Sequence, residues 1–141
     1  MNKKSVRLLA TAIFSLALII VFYENRHETL HASNTIESRV RYVVDGDSLY
    51  LEQHDPQIRL WGVDAPERNE AGYELAKNTL TRIALSKSVR CEIVDIDKYQ
   101  RTVARCFLAD GQEINRMMID SGAAKEYLRF THGYYSSTTK E

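Results

Sequence analysis

Between Arg39 and Leu108 the apolar pattern changes period twice, and the order of those changes leaves few folds open. Arg39 to Val44 is rich in β-branched and aromatic residues and reads as a strand. Asp45-Gly46-Asp47 is a turn signal. Ser48 to Glu52 reads as a second strand, with Leu49 and Leu51 on one face. His54-Asp55-Pro56 reads as a hairpin loop and Gln57 to Val63 as a third strand, after which Pro66 breaks the ladder. The period then becomes helical. Ala76, Leu80, Ile83 and Ala84 stand at i, i+4, i+7 and i+8, which predicts an amphipathic helix over Glu70 to Lys87. Ser88 to Asp95 and Arg101 to Leu108 return to strand character, joined around Asp97-Lys98-Tyr99-Gln100. After an Asp110-Gly111 turn, Ile114, Met117 and Met118 predict a short second helix that ends at Gly122, a C-terminal cap. Five short strands with a helix between the third and fourth imply an α+β, mainly β, fold: a five-stranded OB-fold Greek-key barrel with two to three helices.

The N-terminus has a different character. Lys3, Lys4 and Arg7 precede an uncharged run from Leu8 to Tyr23, the layout of an export signal or signal anchor. As a helix that run spans about 24 Å, short against a hydrocarbon core of ~30 Å. The nearest small-residue cleavage site, His31-Ala32, lies far from the run, so cleavage and anchoring both stay open. A buried soluble helix is the poorer alternative, because the run is apolar all round. The positive start favours an N-terminus that stays inside. Residues 1–24 are therefore expected to be a signal peptide or signal anchor, 25–37 a polar tether, and 38–141 one exported, monomeric domain. It would sit on the periplasmic face of the inner membrane, with the membrane as a partner, or be periplasmic or secreted after cleavage.

The 19 Lys and Arg balance the 19 Asp and Glu, so a broad basic field is excluded. A polyanion would have to be held by a few focused cations. Asp45 and Asp47 flank a glycine at one strand junction; Asp64 and Glu67 surround Pro66 at another. Sequential strands can bring these loops to one end of the sheet. Two or three carboxylates with backbone carbonyls and water make a hard oxygen site for Ca²⁺ or Mg²⁺. His27, His31, His54 and His132 lack zinc-like spacing. Taken alone, each acidic motif reads as a turn or loop. Arg59 inside an apolar strand is costly unless it faces a polar cleft or a partner, and Arg101 opens the fifth strand. A guanidinium fork matches phosphate oxygens; a salt bridge to a nearby acid is the alternative for each. Cys91 and Cys106 lie on strands expected to pair, either as a disulfide in an oxidising compartment or as two small buried hydrophobes.

Taken together, Asp45-Gly46-Asp47-Ser48-Leu49-Tyr50-Leu51 and the later Arg59-Leu60-Trp61-Gly62-Val63-Asp64-Ala65-Pro66-Glu67 resemble the first signature of the thermonuclease (staphylococcal-nuclease-like) family. Asp97-Lys98-Tyr99-Gln100-Arg101-Thr102-Val103-Ala104-Arg105-Cys106-Phe107 resembles the second. The similarity continues through Ala109-Asp110-Gly111 and Asn115 to Ser121-Gly122-Ala123-Ala124. The resemblance implies a Ca²⁺-dependent endonuclease of DNA and RNA that cuts between phosphorus and the 5′ oxygen and leaves 3′-phosphate ends. It implies that Asp47, Asp64 and the backbone carbonyl of Ala65 hold Ca²⁺, that Asp45 organises nearby water, and that Glu67 orients or deprotonates the attacking water. A helix cap is the alternative for Glu67. Arg59 and Arg101 match the phosphate-binding arginines, with Tyr99 and Tyr127 as further candidates for substrate contact.

This sequence departs from the family at Ser48 for threonine, Gln100 for glycine and Cys106 for an aliphatic residue. The longest-known members carry a third helix after the aromatic segment, where this chain stops at Glu141. Tyr127, Phe130, Tyr134 and Tyr135 are left either to stack bases or to close that end. A non-catalytic nucleic-acid or protein-binding OB-fold module is the rival function. Such copies typically lose the acids or arginines, and here all six positions are filled.

Overall fold

A computed structural model of the chain describes residues 34–137. The expected signal or anchor segment and most of the expected tether lie outside these residues. The chain runs β1 (Thr35–Val43), β2 (Ser48–Leu51), β3 (His54–Leu60), β4 (Val63–Asp64), α1 (Tyr73–Ala84), β5 (Ser88–Ile96), β6 (Thr102–Leu108), α2 (Ile114–Asp120), β7 (Lys125–Glu126), α3 (Leu128–Thr131) and α4 (Tyr134–Ser137). Five strands close a barrel in the order β1-β2-β3-β6-β5, and β5 pairs back onto β1. The β3–β6 pairing is parallel and the other four are antiparallel. This is the expected five-stranded barrel with α1 between its third and fourth strands. β4 and β7 form a separate two-stranded ribbon beside it.

The barrel interior is filled by Val40, Leu49, Leu51, Ile58, Leu60 and Ala104, all fully buried. α1 covers one opening with Ala76, Leu80, Ile83 and Ala84, the residues whose spacing predicted the helix. From α2, Ile114 and Met118 join the same core. Asn115, also fully buried, ties β6 to the chain after β3: its Oδ1 accepts the Cys106 N–H, and its Nδ2 donates to the carbonyls of Trp61 and Ala104. Cys91 and Cys106 face each other across β5 and β6 and are joined in a disulfide, the first of the two expected alternatives.

Several boundaries differ from expectation. β1 begins at Thr35, inside the stretch expected to be tether, because Thr35 to Arg39 pair with β5 and complete the barrel. An unpaired β5 edge would otherwise present open N–H and C=O groups. His54 to Pro56 belong to β3 rather than a loop, since the turn is the tighter Glu52-Gln53 and Leu51 pairs with His54. Pro56 is tolerated because the ladder is irregular between the Leu51–His54 and Leu49–Ile58 pairs. α1 starts at Tyr73 rather than Glu70. Glu67 to Glu70 instead form a turn in which the Glu70 N–H donates to the Glu67 carbonyl, and Gly72 takes φ +95°. Among the described residues no helix is long and apolar enough to cross a membrane.

Candidate active site at one rim of the barrel

The β1–β2 turn is built to hold one carboxylate. Val44 N–H donates to the Ser48 carbonyl, and Asp47 N–H donates to Asp45 Oδ1 at 3.1 Å. Gly46 sits where α1 and the chain after β4 converge. A Cβ there would lie 2.5 Å from Cβ of Ala76 and 2.6 Å from Cβ of Ala65, so the turn closes only around glycine.

Asp47 is buried at the centre of this arrangement. Its Oδ1 accepts the Ser48 hydroxyl at 2.9 Å, and its Oδ2 accepts the Ala65 N–H at 3.2 Å. Arg59 Nη2 lies 3.1 Å from the same Oδ2. Register explains the pairing: Ser48 stands opposite Arg59, and Leu60 N–H donates to the Asp47 carbonyl. The Arg59 side chain thus has a carboxylate beside it, while its Nη1 donates to the Leu60 carbonyl. Burial pushes the Asp47 carboxyl up to about 6, although the Arg59 charge opposes the shift; neighbouring Asp45 adds to it, and the Ala65 and Ser48 hydrogen bonds oppose it.

Asp64 ends β4, where it pairs with Lys125, and its side chain is exposed. The peptide that joins it to Ala65 is anchored on Asp47, so the two loops that carry the candidate acids do meet. No group of three or more His, Cys, Asp or Glu side chains converges into a metal cage among the described residues. The expected ligand set, Asp47, Asp64 and the Ala65 carbonyl with Asp45 behind them, has two carboxylates at its centre and is not a cage of that kind. Glu67 is exposed, and its backbone N–H donates to Glu70 Oε2 at 2.8 Å. It does not cap α1, whose N-cap is Gly72 and whose first-turn acid is Glu74.

Arg101 reaches the rim from the β5–β6 turn. Asp97 organises that turn: Oδ1 accepts the N–H groups of Tyr99 and Arg101, each at 2.9 Å, and Oδ2 accepts Arg101 Nε at 2.7 Å. Desolvation acts to raise the Asp97 carboxyl, but the backbone and side-chain bonds from Arg101 outweigh it and hold it below the usual range. Gln100, in the position where the family has glycine, adopts φ +63°. The Arg101 guanidinium lies 5.4 Å from the Tyr99 ring centroid.

Arg59 and Arg101 open into one cavity of ≈ 690 Å³, whose lining includes Tyr99, Tyr127, Arg129 and Phe130. Tyr127 and Phe130 meet edge to face at 4.9 Å. The four aromatic candidates therefore divide. Tyr127 and Phe130 face the cavity, whereas Tyr135 is core: it is buried, packs on Trp61 at 5.8 Å and donates its hydroxyl to Glu113 at 2.7 Å. Tyr134 packs on Trp61 at 5.5 Å, with the Arg105 guanidinium 4.9 Å from its ring centroid. Sequence reasoning missed Arg129 and the apolar walls from Val94 and Ile96. It also missed Asp97 as the holder of Arg101, for which the i,i+4 acid–arginine spacing was a signal.

Residues 57–140 match the family model described as Staphylococcal nuclease homologue. That stretch contains Arg59, Asp64, Glu67 and Arg101, while the Asp45–Asp47 turn precedes it. The chain is 34% identical over 106 residues to the succinoglycan biosynthesis protein ExoI of Rhizobium meliloti (strain 1021), covering 67% of this chain and 54% of that protein. It is 34% identical over 97 residues to a protein named uncharacterized endonuclease from Haemophilus influenzae, with coverage of 67% and 54%. A protein of the same name from Escherichia coli O157:H7 is 28% identical over 97 residues, with coverage of 67% and 63%. The chain thus spans about half to two thirds of the length of these relatives.

Proposed function

The chain belongs to the staphylococcal nuclease homologue family, and on that premise we propose that it is an exported, Ca²⁺-dependent nuclease that hydrolyses phosphodiester bonds of DNA and RNA. The observation that carries this reading is the buried Asp47–Arg59 contact at 3.1 Å, beside a cavity that Arg59 shares with Arg101. Names given to two relatives as endonucleases support the same reaction class.

The donor set suits a hard cation: Asp47, Asp64 and the Ala65 carbonyl would hold Ca²⁺, with water completing the shell. When bound, Ca²⁺ would neutralise part of the phosphodiester's negative charge and so ease the approach of the nucleophile. The chain's own residues do the rest. Arg59 and Arg101 bind the phosphate oxygens through their planar forks and stabilise the charge that grows as phosphorus becomes pentacoordinate. Glu67, exposed in the turn after Pro66, would accept a proton from the attacking water. The water oxygen bonds to phosphorus, and the 5′ oxygen leaves and is protonated by solvent. The products are a 3′-phosphate and a 5′-hydroxyl. Asp45 keeps the turn closed by accepting the Asp47 N–H.

Export is supported by Lys3, Lys4 and Arg7 before the apolar run, and by a disulfide of the kind that persists in oxidising compartments. The reaction is tested by incubating the full chain with single-stranded DNA in Ca²⁺, in Mg²⁺ and in chelator. Cleavage in Ca²⁺, little in Mg²⁺ and none in chelator is expected, because Mg²⁺ demands stricter octahedral geometry and shorter distances. Equal cleavage in Mg²⁺ with Ca²⁺ removed contradicts the assignment of the metal.

A further inference from the structure

The outer face of the β1–β2 hairpin carries a second group of aromatic and cationic side chains. β1 advances from Val40 to Tyr42 while β2 steps only from Leu51 to Tyr50, so Arg41 is the extra residue of a bulge. The bulge leaves Arg41 and Tyr42 both exposed between buried Val40 and Val43. Tyr42, 54% exposed, stands directly opposite Tyr50. The Arg41 guanidinium lies 5.0 Å from the Tyr50 ring centroid, and Lys77 Nζ, from α1, lies 5.9 Å from that of Tyr42. Neither cation forms an ion pair with a carboxylate among the described residues. Both charges are therefore available to an anion from outside.

The patch lies close to the candidate site along the chain. Only Val43 and Val44 lie between Tyr42 and Asp45, three residue steps that span at most about 10 Å. Lys77 follows Ala76, the residue against which Gly46 packs. In the barrel order, β1 and β6 flank β2 and β3 from opposite sides. The cavity is lined from β3, β5, β6 and the β5–β6 turn, and the patch belongs to β1, β2 and α1; Arg59 of β3 stands opposite Ser48 of β2, which links the two.

We propose that this patch is a second nucleotide subsite for single-stranded nucleic acid. Tyr42 and Tyr50 give a base a stacking surface, and Arg41 and Lys77 hold the adjoining backbone phosphate. Single strands are the substrate class because a base still paired in a duplex has no free face to stack. The identity of the occupant rests on the nuclease reading; the binding itself is testable apart from it.

Binding of fluorescein-labelled oligothymidylates, two to eight nucleotides long, is measured by anisotropy on the full chain with chelator present. Affinity should rise by about tenfold at the length that first spans cavity and patch. Tyr42→Ala should abolish that step and Tyr42→Trp should keep it. Leu75→Ala, at an exposed apolar position on α1 outside the patch, is the control. Lys77→Gln should lower the salt slope of binding by about one, a readout that does not depend on the tyrosine variants folding. No length step in the wild type, or a full step in a folded Tyr42→Ala chain, overturns the subsite. A Tyr42-dependent step in a chain that cuts nothing in Ca²⁺ keeps the subsite and removes the nuclease reading. Cleavage in Ca²⁺ with no Tyr42 effect does the reverse.

Discussion

Two arginine–carboxylate pairs in this domain have opposite characters. Arg105 and Glu113 form two parallel bonds of 2.9 Å, Tyr135 adds its hydroxyl to Glu113, and the Arg105 guanidinium lies close to the rings of Phe107 and Tyr134. Arg59 meets Asp47 at a single oxygen, and burial has pushed that carboxyl up to about 6. The first pair is closed: guanidinium and carboxylate bond each other twice, and Tyr135 and Glu92 take up what remains. The second keeps a buried carboxylate under an incomplete positive charge, and its arginine opens into the cavity. Strained electrostatics beside an open cavity mark a site where something else binds; saturated electrostatics mark structure.

Removing Arg59 tests the open side of the comparison and should have the largest effect. Arg59→Ala is expected to lower turnover on the order of 10²–10³ while the domain stays folded, and Arg59→Lys should not restore it. A lysine variant with near wild-type turnover breaks the assignment.

On the closed side the effects should fall on stability. Opening the Cys91–Cys106 disulfide, whose partners are 15 residues apart, should cost roughly 3 kcal/mol, read from denaturant unfolding with and without reductant. Thiol titration of the denatured, unreduced protein should find none of these thiols. Arg105→Ala should cost about 2–4 kcal/mol, discounted because that side chain is 25% exposed. Its turnover should stay within about twofold of wild type. A large loss of turnover at unchanged stability would place Arg105 on the open side and erase the contrast.

The smallest effect sharpens the picture of the Arg101 turn. Gln100 holds φ +63°, a conformation that costs a non-glycine residue about 1–2 kcal/mol. Gln100→Gly recovers that but adds unfolded-state freedom worth about 0.5–1 kcal/mol, so a net gain of roughly 0.5 kcal/mol is expected in chemical denaturation. Destabilisation would mean the glutamine side chain holds the turn in a way its backbone angle hides.

How much of this was legible in the sequence depended on whether the deciding contact was local. The period of Ala76, Leu80, Ile83 and Ala84 revealed α1, but its start was decided by the Glu67–Glu70 turn and Gly72, which periodicity does not encode. The first half of β1 carries no local signal, because Thr35 to Arg39 become strand only through their partner β5. In the site, the salt-bridge alternative holds for each arginine, and the ion pair leaves both Arg59 and Arg101 on the cavity lining. The division among the four aromatics could not be read at all, since Tyr134 and Tyr135 differ only in what α4 packs against.

The most direct test of the hydrolytic centre is Glu67→Gln, with single-turnover cleavage of a short oligonucleotide at saturating Ca²⁺ measured beside the melting temperature and the substrate affinity. Glutamine keeps the size of the side chain but cannot take a proton at neutral pH. The exposed Glu67 side chain does not cap α1, so the melting temperature should hold. Cleavage should fall by at least about 10², with affinity nearly unchanged. An unchanged cleavage rate would remove Glu67 from the mechanism and leave the metal and the two arginines as the whole apparatus.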